Sequence, residues 1–178
     1  FVTSLADVSL FEPRVFGDER GFFLETWNRR RFVEMGVDAD FVQDNHSLST
    51  QYTLRGLHYQ NPFAQGKLVW VIEGEVWDVA VDLRRTSPTY GKWEGYYLND
   101  TNKRRLWIPP GFAHGFLVTS KRAQFCYKCT EYYHPEAEHT LLWNDPLLGI
   151  EWPLPNGTIP ILSPKDEAGK TFDECVLF

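Results

Sequence analysis

Trp77-Asp78-Val79-Ala80-Val81-Asp82-Leu83 decides the fold class. Trp77, Val79, Val81 and Leu83 alternate with Val76, Asp78, Ala80 and Asp82, a period of two that belongs to a strand with one buried face. The period returns from Gln124 to Tyr133, where Phe125, Tyr127, Cys129, Glu131 and Tyr133 alternate with Gln124, Cys126, Lys128, Thr130 and Tyr132. Turn signals punctuate the chain around these segments at Gly17-Asp18, Gly66, Glu73-Gly74, Ser87-Pro88, Asn99-Asp100, Pro109-Pro110-Gly111 and Asn156-Gly157. Only Asn28 to Met35 reads as a helix, stopped by Gly36, with Phe32 and Met35 on one side and Arg29 to Arg31 near its start. One short helix among many short strands predicts an all-β sandwich, jelly roll or barrel.

A chain of 178 residues predicts a single domain over 1–178. With 7 Trp, 8 Tyr and 13 Phe it has the material for a packed core. The formal charge of −6 argues against a general binder of nucleic acid or anionic membrane, and leaves room for a small anion held by local arginines. The longest apolar run, Leu68 to Ile72, falls far short of the roughly 20 residues of a membrane span. Cys126, Cys129 and Cys175 are an odd set without a disulfide framework, which points to a reducing cytoplasm. Residue 1 is Phe and the sole Met is Met35, so the natural start is expected upstream. The tail from Ser163 is polar until its last few residues and is expected either to fold back on the body or to fray.

Two histidines stand in unusual contexts. His58 lies in Leu54-Arg55-Gly56-Leu57-His58-Tyr59-Gln60, a strand-like run with Gly56 leaving room for a ligand or another backbone. A core histidine bonded to a carbonyl fits the same residues. His114 follows the Pro109-Pro110-Gly111 turn, which could aim it into a barrel mouth. Pro-x-Gly-x-x-His is also the second half of the cupin metal motif, but the His-x-His of the first half is missing, and two histidines are fewer than the three protein ligands a metal requires. Cys126 and Cys129, three apart on a strand, point to opposite faces and suit neither zinc nor a redox dithiol. Arg29 to Arg31 and Lys103 to Arg105 read as solvated charge. Arg20, close to Phe22, Phe23 and Glu25, combines a guanidinium for phosphate with aromatic rings for a base, although a surface ion pair explains it nearly as well.

Taken in order, Gly17-Asp18-Glu19-Arg20-Gly21-Phe22-Phe23, Gln43-Asp44-Asn45-His46-Ser47, Leu54 to Gln60, Gln65-Gly66-Lys67-Leu68-Val69, Asp78 to Arg84, Gly111-Phe112-Ala113-His114-Gly115-Phe116, Trp143-Asn144-Asp145-Pro146 and Lys165-Asp166 form a pattern. The chain resembles the dTDP-4-dehydrorhamnose 3,5-epimerase family from about Asp7 to Asp166. The resemblance implies a cupin-type jelly roll, a homodimer without metal or cofactor, and a dTDP-sugar substrate inverted at C3 and C5. It implies His58 as base with Asp166 as its partner, Lys67 beside the C4 oxygen and Tyr127 as the proton donor on the opposite face. Arg20, Glu25, Gln43, Asn45, Arg55, His114, Glu138 and Lys165 match nucleotide, diphosphate or sugar contacts, with Phe22 and Tyr133 as aromatic neighbours of the thymine.

These residue types suit the reaction. Epimerisation beside a ketone removes a proton from one face and returns one to the other, and a base works best near the operating pH. Charge then develops on the carbonyl oxygen, where a fixed ammonium stabilises it. A related enzyme inverting only C3 or only C5, or a non-catalytic cupin that binds nucleotide or sugar, would share much of this pattern. Trp70 stands where an arginine is expected, and Cys126 and Cys129 are unfamiliar neighbours for Tyr127. Arg55 and His58 are three apart, so for both to face one ligand a bulge or twist near Gly56 is required.

Overall fold

The computed structural model describes residues 3–178, so residues 1 and 2 of the expected domain lie outside the described residues. In chain order it runs through β1 (Ser9–Phe11), β2 (Val15–Asp18), β3 (Gly21–Leu24), α1 (Arg29–Glu34), β4 (Gln43–Thr50), β5 (Leu54–Gln60), β6 (Lys67–Glu73) and β7 (Glu75–Asp82). It continues with β8 (Trp93–Asn99), β9 (Arg105–Ile108), β10 (Phe112–Val118), β11 (Arg122–Cys129), β12 (Glu138–Thr140) and α2 (Pro164–Glu167). Two five-stranded sheets result, ordered β1-β9-β6-β11-β4 and β12-β5-β10-β7-β8, with β2 and β3 as a separate hairpin. This is the jelly-roll architecture that the period-two pattern allows. Val69, Val71 and Phe125 of the first sheet meet Val76, Ala80, Leu98 and Phe116 of the second in the core between them.

β7 departs from the expectation of one buried face, because both of its faces are covered. Val76 and Ala80 belong to the inter-sheet core. Val79, Val81 and Leu83 pack in a second cluster with Leu57, Leu141, Trp152, Phe172, Leu177 and Phe178. The tail therefore folds back. Its end is fixed by Phe178 N–H donating to the Leu83 carbonyl at 3.2 Å and by Arg85 N–H donating to the Phe178 carbonyl at 3.0 Å.

Three other expectations are corrected. β11 ends at Cys129, before Tyr133, since Thr130 turns back to bond Gly66 through both its N–H and its hydroxyl. In α1, capped by the Asn28 side chain, Phe32 is buried among Phe11, Trp27 and Trp107, whereas Met35 is the C-cap and stays 47% exposed. Arg105 does not belong to a solvated run. β9 lies between β1 and β6, so Arg105 is only 4% exposed, with its guanidinium 4.8 Å from the Trp70 ring centroid, and burial lowers its pKa to about 10. Cys126 and Cys129 do point apart, opposite Trp70 and Lys67 respectively on β6. Among the described residues, no helix is long and apolar enough to cross a membrane.

Candidate active site

A cavity of about 380 Å³ opens between the sheets, walled by β4, β6 and β11 on one side and by β5, β10 and β12 on the other. β5 dominates the second wall, and its local geometry explains how. Opposite β10, His58 pairs with His114 and Arg55 pairs with Phe116, so three steps along β5 face two along β10. The extra residue is a bulge. It reverses the parity of the strand, so that Arg55 and His58, which a regular strand would send to opposite faces, both line the cavity. Gly56 makes the bulge feasible: its φ is +121°, and a Cβ there would lie 2.6 Å from the Gly115 Cα and 2.7 Å from the His114 carbonyl oxygen.

His58 Nε2 lies 2.5 Å from Asp166 Oδ1. Asp166 comes from α2, is 3% exposed, and also accepts from the Ser163 hydroxyl at 2.7 Å and from Gly56 N–H at 3.4 Å. Burial works to raise the Asp166 pKa, but the hydrogen bonds from His58, Ser163 and Gly56 prevail and hold it below its ordinary value. For His58 the balance goes the other way, because burial lowers its pKa despite the aspartate. An ionised Asp166 accepts from Nε2–H and leaves the lone pair on Nδ1. His58 is thereby a neutral, oriented base.

The facing sheet supplies the other groups. Lys67, on β6, is buried, and among the described residues its ammonium has no hydrogen-bond or ion-pair partner. Burial pushes its pKa down. Tyr127, on β11, lines the same cavity, and burial raises its phenol to about 12, so it keeps its proton at neutral pH. Near the mouth, Tyr133 donates to Glu138 at 2.9 Å and Lys165 donates to the other Glu138 oxygen at 2.9 Å. Gln43 and Asn45 project from β4, and Arg55 is steadied by Ser49 at 2.9 Å.

Two residues emerge here that sequence reasoning passed over. Asp78 is fully buried and accepts from His114 Nε2 at 2.9 Å, fixing a second histidine beside His58 in the β5–β10 register. Alternation puts Asp78 on the same face as Val76 and Ala80 without saying that this face is the inner one, and its partner lies 36 residues away. Cys129, taken as an ordinary strand residue, lines the cavity beside Lys67. Among the described residues no group of three His, Cys, Asp or Glu side chains is placed to hold a metal ion.

Three expected ligand contacts are not brought to this cavity. Arg20 is bound to Asp18 at 2.5 Å on the exposed hairpin. Phe22 is 62% exposed, with the Lys103 ammonium 3.9 Å above its ring. Glu25 pairs with Arg31 at 3.2 Å, by α1.

Comparison with known proteins gives a consistent answer. The family model described as dTDP-4-dehydrorhamnose 3,5-epimerase matches residues 2–174. An enzyme of that name from Pseudomonas aeruginosa is 57% identical over 98% of this chain and 96% of its own length. One from Neisseria gonorrhoeae is 58% identical over 96% of this chain, which spans only 51% of that relative. The crystal structure of a dTDP-6-deoxy-D-glucose-3,5-epimerase from Legionella pneumophila, in complex with dTDP-4-keto-L-rhamnose, superposes with a TM-score of 0.93 at 52% identity, covering 97% of this chain and 91% of that one.

Proposed function

The chain belongs to the dTDP-4-dehydrorhamnose 3,5-epimerase family, and we propose that it inverts C3 and C5 of dTDP-4-dehydro-6-deoxy-D-glucose through its own His58, Asp166, Lys67 and Tyr127. The observation that carries this reading is that His58, backed by Asp166, and Tyr127 project from opposite sheets into one cavity. His58 Nδ1 takes the proton from the carbon beside the C4 ketone, and Asp166 stabilises the imidazolium that forms. Electrons from the broken C–H bond move onto the C4 oxygen, where the buried, unpaired Lys67 ammonium meets the charge. Tyr127 then delivers its proton to the other face of the carbon. Before the second carbon reacts, His58 gives up its proton to solvent and Tyr127 regains one; an oxyanion then forms again at the same C4 oxygen, and the product is dTDP-4-dehydro-L-rhamnose. These four residues supply each step, so the reading needs neither metal nor cofactor.

Arg55, Gln43, Asn45, His114, Tyr133, Glu138 and Lys165 take the sugar, diphosphate and nucleoside. The remaining contacts call for a second copy of the chain. Arg20, Phe22 and Glu25 lie away from the cavity of their own chain, on or beside a hairpin that exposes Phe16, Phe22 and Phe23. In the homodimer each hairpin covers the partner's cavity mouth and brings guanidinium and aromatic rings to the nucleotide. Free thiols and a sugar-nucleotide substrate suit a cytoplasmic, single-domain enzyme.

Turnover in D₂O, with the product trapped by reduction at C4, tests the assignment. Deuterium and inversion at both C3 and C5 are expected. Inversion at one carbon only would make the chain a monoepimerase, and none with genuine substrate would leave a binding protein.

A further inference from the structure

Lys67 is a buried cation whose ammonium has no hydrogen-bond or ion-pair partner among the described residues. The titratable and charged groups that face it come from several elements: Cys129 on β11, Glu138 on β12, Asp78 on β7, Lys165 on α2 and His58 on β5. Each anion among them is already engaged, Glu138 by Tyr133 and Lys165 and Asp78 by His114. Cys129 is the directly paired neighbour of Lys67 across the β6–β11 ladder, is 1% exposed, and lines the cavity. Its sulfur is not loose. The Tyr133 N–H donates to Gln43 at 2.9 Å, the Gln43 amide donates to Asn45 at 3.0 Å, and the Asn45 amide donates to Cys129 Sγ at 3.6 Å. A short chain of amides thus runs from the mouth of the cavity to the side of the lysine.

We propose that Cys129 is a positioning residue for Lys67: its neutral, Asn45-anchored thiol walls in the ammonium without neutralising it, which leaves the full charge for the C4 oxyanion. The inference deepens the epimerase reading and rests on it. Coulomb's law gives the reason, since a carboxylate at the same place would claim the ammonium before the substrate did, and charge already satisfied in the ground state contributes little to the transition state. A neutral wall keeps the interaction for the moment of reaction.

The test compares Cys129→Asp with its uncharged isostere Cys129→Asn and with Cys129→Ser, in the full-length chain with dTDP-4-dehydro-6-deoxyglucose, across pH. Removing an oxyanion contact usually costs about 10² to 10³ in kcat. Partial neutralisation by Asp is therefore expected to lower kcat at least about tenfold, with KM within about threefold, while Asn and Ser keep kcat within about threefold. The Asp variant should also hold its remaining activity to higher pH, because an adjacent carboxylate raises a lysine pKa, typically by about 1 to 3 units. Equal kcat losses in Asp and Asn, or an unmoved alkaline limb in Asp, would overturn the proposal. Calorimetric binding of dTDP establishes that each variant is folded. If the Asp chain does not fold, a tenfold kcat loss in folded Ser overturns the proposal equally. Lys67→Met separates the two levels: full activity there would sink the epimerase mechanism itself, whereas an inactive Lys67→Met beside indistinguishable Asp and Asn variants would remove only the role of Cys129.

Discussion

Replacing Gly56 by alanine perturbs the fold and the chemistry at one point. The φ of +121° is one that side chains rarely adopt, and the added Cβ would stand 2.6 Å from the Gly115 Cα and 2.7 Å from the His114 carbonyl oxygen. Both obstacles are backbone, so no side chain can swing away. Holding a residue in such a region costs about 1 to 3 kcal/mol, and overpacking a tight core typically adds about 1 to 3 kcal/mol. The sum, about 2 to 6 kcal/mol, corresponds to a fall in Tm of about 4 to 24 °C for a protein of this size. Relief can come only by moving β5 away from β10, and His58 and Arg55 move with it. Thermal unfolding by circular dichroism, with kcat measured well below Tm, is the assay. Gly157→Ala serves as the reference: its φ is +79° and nothing lies within 4 Å of the new Cβ, so it carries backbone strain alone. If Gly56→Ala unfolds no earlier than Gly157→Ala and turns over at the native rate, the bulge does not set the placement of His58.

His58→Asn should lower kcat about 10² to 10⁴-fold, the usual loss of a general base, with the fold intact; near-native activity in the pure variant would reassign the base. Asp166→Asn should also reduce kcat, because the amide cannot hold the Nε2–H tautomer as the carboxylate does; a flat result would mean the tail does not serve the dyad. The pH profile of kcat/KM should rise through an acid limb below 6.5, where buried His58 loses its proton, and fall through an alkaline limb below 10.5, where Lys67 loses its own; an acid limb above 7 would contradict the burial argument. Arg20→Ala and His58→Asn chains, each nearly inactive alone, should regain activity when co-expressed, since a mixed dimer has one site with an intact His58 and an intact hairpin from its partner. No regain over the separate proteins would place the hairpin elsewhere.

The residues differ in how openly they announced these arrangements. Strand parity is local, so once the family pattern asked Arg55 and His58 to share one face, their spacing of three required a bulge or twist near Gly56, and the structure has the bulge. The opposed faces of Cys126 and Cys129 followed from the same rule. Asp78 and His114 depend on the register between β7 and β10, which no local period carries. Arg105 sits in a run of three basic residues that reads as surface, and only the position of β9 inside its sheet buries it beside Trp70. For Arg20, Phe22 and Glu25 the difficulty is of another kind, since a sequence motif does not say which copy of the chain its residues serve. The pairing of His58 with Asp166 came from the family pattern and from no periodicity in the chain.

That pairing joins residues 108 positions apart, and the aspartate follows every strand of both sheets in chain order. During synthesis the barrel strands leave the ribosome well before α2 does, so a nascent chain can close its sheets around a histidine that has no carboxylate behind it. Competence waits on α2. A cut between Ile161 and Ser163 would act twice, freeing Asp166 from the base and freeing Phe172, Leu177 and Phe178 from the outer face of β7, so turnover and thermal stability are expected to fall together.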